Sequence, residues 1–281
     1  MENTSPKIRI LKADGEKEFF DQEKLVNSLK RAGAHDELIR EVVSHVQSEL
    51  MDDMSTTDIY RHAFMLLEKQ HRPSAARYSL RRALLGFGPS GFPFEDYVGE
   101  IFKARGWSVE TGKIMKGHCV EHEVDVIAWK DDRLLFAEVK FHNEPGFKTD
   151  LKIALYVKAR MEDLAKVSFF IGNKERRLTD GFLITNTKFT SSAIQYGSCT
   201  RLSMMGWNYP DKENLESVIE EEKLHPLTCL TTLTSSQKQE LFTKGIVLCK
   251  TIVSNPSVLS FLQLGRKEEK DVLDEAKSLF V

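Results

Sequence analysis

Two apolar segments in the middle of the chain carry charged residues where the interior of a sheet tolerates few. Glu123-Val124-Asp125-Val126-Ile127-Ala128 sets an acid inside a strand-like run. Leu134-Leu135-Phe136-Ala137-Glu138-Val139-Lys140-Phe141 sets an acid and an amine inside a second. The turn Lys130-Asp131-Asp132-Arg133 joins them, which predicts a hairpin of strands over 123–129 and 134–141. Side chains alternate along a strand, so Glu138 and Lys140 share a face, and the turn allows Asp125 to stand beside them. Burying two carboxylates and an ammonium is costly unless they pair with one another or hold a metal. An isolated Glu-x-Lys ordinarily reports a salt bridge, but here the acid in the preceding strand needs a reason as well. Phosphodiester hydrolysis supplies one. Asp125 and Glu138 hold a hard divalent cation, Mg²⁺ or Mn²⁺, which acidifies water and neutralises phosphate charge. Lys140 orients the water or stabilises developing charge. Glu95, near the start of the preceding helix, is the candidate third carboxylate.

The surrounding pattern is α/β. A helix is predicted over 94–105, stopping at Gly106, then a strand over 107–115 ahead of the hairpin. A helix over 151–165 follows, then strands over 167–171 and 181–185, a small-residue helix over 189–197 and a strand over 201–206. Residues 211–223 are charged, and Pro226 opens a helical remainder over 227–281. Tyr156, Lys158 and Arg160 fall on the helix behind the charged strand, either facing substrate or as a solvated face. Lys174, Arg176 and Arg177 form a loop cluster that is equally open. His118, Cys119 and His122 lack the spacing of a four-ligand zinc site and read as exposed hairpin residues. Nearby Lys113, Lys116 and His118 are candidate phosphate contacts.

Phe94-Glu95-Asp96-Tyr97-Val98, Lys103-Ala104-Arg105-Gly106-Trp107, Glu123-Val124-Asp125 and Ala137-Glu138-Val139-Lys140 together resemble the PD-(D/E)xK, or restriction-endonuclease-like, nucleases. The spacing from Asp125 to Glu138 is similar to that of archaeal Holliday-junction resolvases and Mrr-type enzymes. Gly181-Phe182-Leu183-Ile184-Thr185-Asn186, with Phe189-Thr190-Ser191-Ser192-Ala193 and Tyr196, is similar to the strand and helix that close the Mrr-type core. The resemblance implies a metal-dependent DNA endonuclease with Glu95, Asp125, Glu138 and Lys140 as catalytic residues and Glu95, Asp125 and Glu138 as metal ligands. Val124 stands where the family's motif has proline, and His122-Glu123 where the Mrr-type often has glycines. A non-catalytic, nucleotide-responsive DNA-binding regulator on the same scaffold is the competing reading.

The first ninety residues have a different character. Ile8 and Ile10, Phe19 and Phe20 flank an Asp14-Gly15 turn, a hairpin signal. Asp21 is placed to cap a helix carrying Leu25, Leu29 and Ala32 at helical spacing. Helices are predicted over 36–50 and 56–69, the second capped by the Ser55-Thr56-Thr57-Asp58 cluster, and a last one over 75–85. Ile10-Leu11-Lys12-Ala13-Asp14-Gly15, Glu18-Phe19-Phe20-Asp21, Lys24-Leu25, Ala32 and Ala76-Arg77-Tyr78-Ser79 resemble the ATP-cone, the regulatory domain of ribonucleotide reductases and of their repressors. The resemblance implies ATP or dATP as effector, with Lys12 and Lys24 on the phosphates and Ile10, Glu18 and Asp21 near base or ribose. Ala13 replaces the basic residue usual before Asp-Gly. No GxxxxGK[ST] is present, so sensing rather than P-loop hydrolysis is expected.

Gly86-Phe87-Gly88-Pro89-Ser90-Gly91-Phe92-Pro93 holds three glycines and two prolines in eight residues, and is read as a hinge. The expected fold is α+β and α/β: a cone of β-hairpin plus helical bundle over 1–88, a restriction-endonuclease-like sheet domain over 89–222, and a helical region over 223–281. That last region faintly resembles a helix-hairpin-helix module, and packing or dimerisation is the reading preferred to DNA binding. The expected partners are DNA, an adenine nucleotide and a second copy of the chain.

A net charge of -2 gives no global basic signature, so any attraction to DNA has to be local. The four cysteines, Cys119, Cys199, Cys229 and Cys249, form no CxxC pair and read as reduced thiols. The opening residues carry no basic start or apolar run, and no segment reaches the roughly 18 apolar residues of a membrane span. A cytoplasmic protein with no membrane partner is expected.

Overall fold

The computed structural model describes residues 8–13, 15–88, 90–144 and 146–280. Asp14 of the hairpin turn, Pro89 of the glycine-proline segment and the opening residues 1–7 lie outside that set.

The hairpin forms from β1 (Arg9–Leu11) and β2 (Lys17–Phe19), with Ile10 opposite Glu18. Asp21 caps α1 (Gln22–Arg31), its carboxylate accepting from the Glu23 and Lys24 N–H groups. After α2 (Asp36–Glu49) comes a two-residue strand, β3 (Met54–Ser55), which pairs parallel to β1. Ser55 caps α3 (Thr56–Gln70) through the Asp58 N–H. Leu25 and Leu29 of α1, Leu38, Val42 and Val46 of α2 and Ala63 and Leu67 of α3 meet in one core, with Ile10 from the hairpin.

The single helix expected over 75–85 is instead three short pieces: α4 (Arg72–Tyr78), α5 (Leu80–Ala83) and a 3₁₀ turn over Leu84–Phe87. The Ser79 hydroxyl donates to the Ala76 carbonyl, a local bond that competes with helix continuation. The glycine-proline segment also differs from expectation. Ser90 and Phe92 are exposed, but Phe87 is fully buried against Phe94, Tyr97 and Phe242. An aromatic residue in the segment turns the expected hinge into an anchor.

Beyond it, α6 (Phe92–Ala104) leads into β4 (Ser108–Lys116), β5 (Glu121–Lys130) and β6 (Arg133–Lys140). Next come β7 (Lys148–Thr149), α7 (Leu151–Leu164), β8 (Ser168–Ile171), β9 (Lys174–Arg177) and β10 (Asp180–Thr185). Then follow β11 (Lys188–Phe189), α8 (Ser191–Thr200), β12 (Ser203–Met205) and α9 (Leu215–Glu221). The main sheet has the order β12-β10-β6-β5-β4. Strands β4, β5 and β6 form an antiparallel meander, and β10 and β12 continue parallel to β6. Two small ladders, β7 with β11 and β8 with β9, lie apart from it.

Alternation along β6 divides two cores. Leu135, Ala137 and Val139 face α6, while Leu134 and Phe136 face α7. The remainder of the chain contributes α10 (Ser235–Phe242), α11 (Cys249–Ser254) and α12 (Arg266–Ser278). These helices do not form a core of their own. Leu241, Phe242, Ile252, Val272 and Ala276 join Tyr97 and Ala137 in the α6-side core, and the Tyr97 hydroxyl donates to the Leu224 carbonyl at 2.8 Å. The boundary read at Pro226 therefore falls inside a continuous interior. Among the described residues no helix is long and apolar enough to cross a membrane. Cys119, Cys199, Cys229 and Cys249 are free thiols.

Candidate active site and nucleotide cleft

At Asp125 the alternation of β5 slips: Val124 packs on the α7 side and Val126 on the α6 side. The partnered pairs Thr111–Val126 and Lys113–Val124 flank Gly112, whose φ of 61° lies in the left-handed region that glycine enters without strain. The local break turns the Asp125 carboxylate toward β6, where Oδ2 accepts the Val139 N–H at 2.6 Å. Glu138 follows Ala137, which partners Val126, and its side chain is 4% exposed on the α7 side. Lys140 Nζ lies 2.6 Å from Glu138 Oε1.

Arg160 comes from α7 and donates to Glu138 Oε2 and to the Glu123 carbonyl. It is itself buried, and its ring-like stack over Tyr156 measures 5.3 Å from guanidinium to centroid. Asp125, Glu138, Lys140, Tyr156 and Arg160 line one cleft of about 310 Å³. The structure thus brings together three of the four residues predicted as catalytic. Arg160, left open between substrate contact and solvated face, is neither: it holds Glu138.

Glu95 does not join that lining. It sits half-buried on α6, and among the described residues no three His, Cys, Asp or Glu side chains form a metal-binding group. The expected three-carboxylate ligand set is therefore corrected. Lys140 and Arg160 claim both Glu138 oxygens, and the Val139 N–H claims one of Asp125. Glu95 still feels the site. Burial, then the Asp125 charge, pushes its carboxyl up to about 7. Burial, then the Glu138 charge, pushes Asp125 up to about 6, and the Val139 N–H and the two cations only partly offset this.

In the hairpin between β4 and β5, His118 and Cys119 are exposed as expected, but His122 is not. His122 Nε2 lies 2.8 Å from Asp163 Oδ2, and Asp163 also accepts the Cys119 and Val120 N–H groups. The Asp163 carboxyl is held well below its ordinary range, first by the His122 hydrogen bond. His122 thus docks the hairpin onto α7.

In the N-terminal module, Lys12, Glu18 and Lys24 line a cleft of about 470 Å³ that also includes Arg81. Lys24 Nζ stands 3.2 Å from Glu18 Oε1, and Lys12 Nζ 2.6 Å from Glu16 Oε2. Thr56, the first residue of α3, opens on the same space, adding the positive end of a helix dipole. Ile10 and Asp21, expected near base or ribose, are elsewhere. Ile10 is 5% exposed in the core, and Asp21 is committed to capping α1.

Comparison with known proteins finds matches at the two ends of the chain. Residues 8–84 match the ATP cone domain, so the chain carries the nucleotide-responsive module that its hairpin and helices describe. Residues 225–280 match a family described as AF1548-like, C-terminal. An Archaeoglobus fulgidus protein described as uncharacterized is 34% identical over 183 residues, which is 65% of this chain and 99% of that protein. A crystal structure described as that of a protein of unknown function, AF1548, is 33% identical with a TM-score of 0.55. It covers 67% of this chain and 97% of that one. The chain belongs to the AF1548-like family.

Proposed function

We propose that this chain is a divalent-metal-dependent DNA endonuclease of the restriction-endonuclease-like class, controlled by an adenine nucleotide bound to its cone. The observation that carries the reading is the meeting of Asp125, Glu138 and Lys140 in one cleft at the break in β5. The donor set fits a hard cation. Its atoms are carboxylate oxygens, and Mg²⁺ is ordinarily held by one or two carboxylates while keeping several waters. Asp125 and Glu138 are those two, with Glu95 behind them. Bound there, the cation supplies an acidified water and neutralises phosphate charge.

The chain's own groups do the rest. Lys140 presents its ammonium beside Glu138, where it pairs with a non-bridging phosphate oxygen. Arg160 fixes the Glu138 rotamer, so the carboxylate is set before substrate arrives. The backbone bond to Val139 orients Asp125 in the same way. The two cations that occupy Glu138 also favour a second reading, a nucleotide-responsive regulator that binds DNA without cutting it.

Plasmid nicking with Mg²⁺ or Mn²⁺, with and without ATP, separates the two. Asp125→Ala and Lys140→Ala are each expected to lose activity about a hundredfold or more. Equal activity in wild type and both variants overturns the enzyme reading. For the cone, ATP or dATP is expected to raise the melting temperature of wild type but not of Lys24→Ala. Indifference of wild type to both nucleotides overturns that half.

A further inference from the structure

The nucleotide cleft has a second wall, and it belongs to the sheet body rather than to the cone. Phe147, Lys148 and Lys188 line the same space as Lys12, Lys24 and Arg81. Lys148 and Lys188 are partnered residues of the parallel β7–β11 ladder, so two ammonium-bearing side chains start side by side. Five basic side chains from two modules converge on one cleft with a single acid, Glu18, which Lys24 holds, and the N-terminus of α3 stands alongside. That distribution suits a chain of phosphates better than a single carboxylate.

The second wall follows the candidate active site along the chain. Residues 141–147 connect Lys140, the last residue of β6, to β7. Phe147 stacks on His142, ring centroids 4.5 Å apart. The His142 N–H donates to Asn186 Oδ1 at 2.9 Å, and Asn186 Nδ2 donates back to the His142 carbonyl at 2.7 Å and to the Leu84 carbonyl at 3.3 Å. Asn186 is 1% exposed, so these bonds are shielded from water. One buried amide thus ties the root of the cone to a residue two positions from Lys140.

We propose that the polyphosphate of the cone's nucleotide is gripped from both sides, Lys148 and Lys188 completing the site, and that occupancy fixes Phe147 and β7, which follow Lys140 along the chain. The proposal rests on the cone reading and deepens it: the sheet body reads the phosphate tail directly. A nucleotide with a long tail bridges both walls, while a monophosphate reaches the cone wall alone.

The test is calorimetric titration of the full chain with ATP and with AMP. Four proteins are compared: wild type, Lys12→Ala/Lys24→Ala, Lys148→Ala/Lys188→Ala and Lys148→Arg/Lys188→Arg. The Lys148→Ala/Lys188→Ala pair is expected to weaken ATP by about tenfold or more per lysine, as loss of a charge-assisted contact implies. It is expected to leave AMP unchanged, and the arginine pair to keep ATP affinity. Backbone hydrogen exchange over 141–149 is expected to slow with ATP in wild type and not in Lys148→Ala/Lys188→Ala. ATP weakened only by Lys12→Ala/Lys24→Ala overturns the second wall and leaves the cone reading standing. No ATP binding to wild type overturns both. A circular-dichroism melt of each variant without nucleotide identifies any that fails to fold, and the exchange arm on wild type then decides the coupling alone.

Discussion

At the scale of single residues, the candidate site is defined by who holds which oxygen. Glu138 is fully engaged by cations, Asp125 is half engaged by backbone, and Glu95 is surrounded by acids. The consequence is a pH dependence with a definite sign. Glu95 and Asp125 bind protons more tightly in the folded chain, at about 7 and 6, than at their ordinary values of 4.5 and 3.8. Their contribution to stability is therefore complete below about pH 4 and lost as pH rises toward 7. Buried His225 opposes this slope at the acid end. Desolvation pushes its imidazole down to about 4, so its contribution is present above its ordinary value of 6.5 and lost as pH falls toward 4. The difference between wild type and Glu95→Gln isolates the carboxyl. Melting temperatures from pH 5 to 8 without divalent cations are expected to fall less for Glu95→Gln than for wild type, and added Mg²⁺ to narrow the gap. Parallel curves for the two proteins would show that the folded chain does not raise the Glu95 carboxyl.

At the scale of elements, what the sequence shows and what it hides follow from range. Asp21 and Ser55 are legible caps because a cap is a contact between residues two or three apart. The β5–β6 hairpin is legible because its turn and alternation are local. β3, β7 and β11 are two residues each, too short to show a period, and exist only because a distant strand lies beside them. Arg160 is ambiguous for the same reason. A basic residue on an amphipathic helix looks alike whether it meets water or a carboxylate 22 positions away. Glu275 on α12 makes the point at the other end of the chain. Its 5% exposed carboxylate accepts the backbone N–H and the hydroxyl of both Thr231 and Thr232. Glu275→Ala strands four donors and is expected to cost about 3 kcal/mol in urea unfolding. A loss under about 1 kcal/mol would mean that water replaces the carboxylate there.

At the scale of the whole molecule, the cone and the body meet through the 3₁₀ turn over Leu84–Phe87. Leu84 and Phe87 are fully buried in the core that also holds Phe94, Val126 and Phe242. Calorimetric heating is accordingly expected to give one transition, and Phe87→Ala to lower stability by about 3–5 kcal/mol. Two resolved transitions in wild type would show that the modules unfold independently. The Phe87 anchor also bears on how such a chain diversifies. A sensor joined by a loose tether is a cassette, exchangeable by recombination at the joint. Here a crossover after residue 88 would bring a foreign side chain to a socket shaped by Phe242 and Tyr97, and most recombinants would begin life with a hole in the middle. New ligand preferences are then more easily reached by point changes along the cleft walls than by replacing the cone.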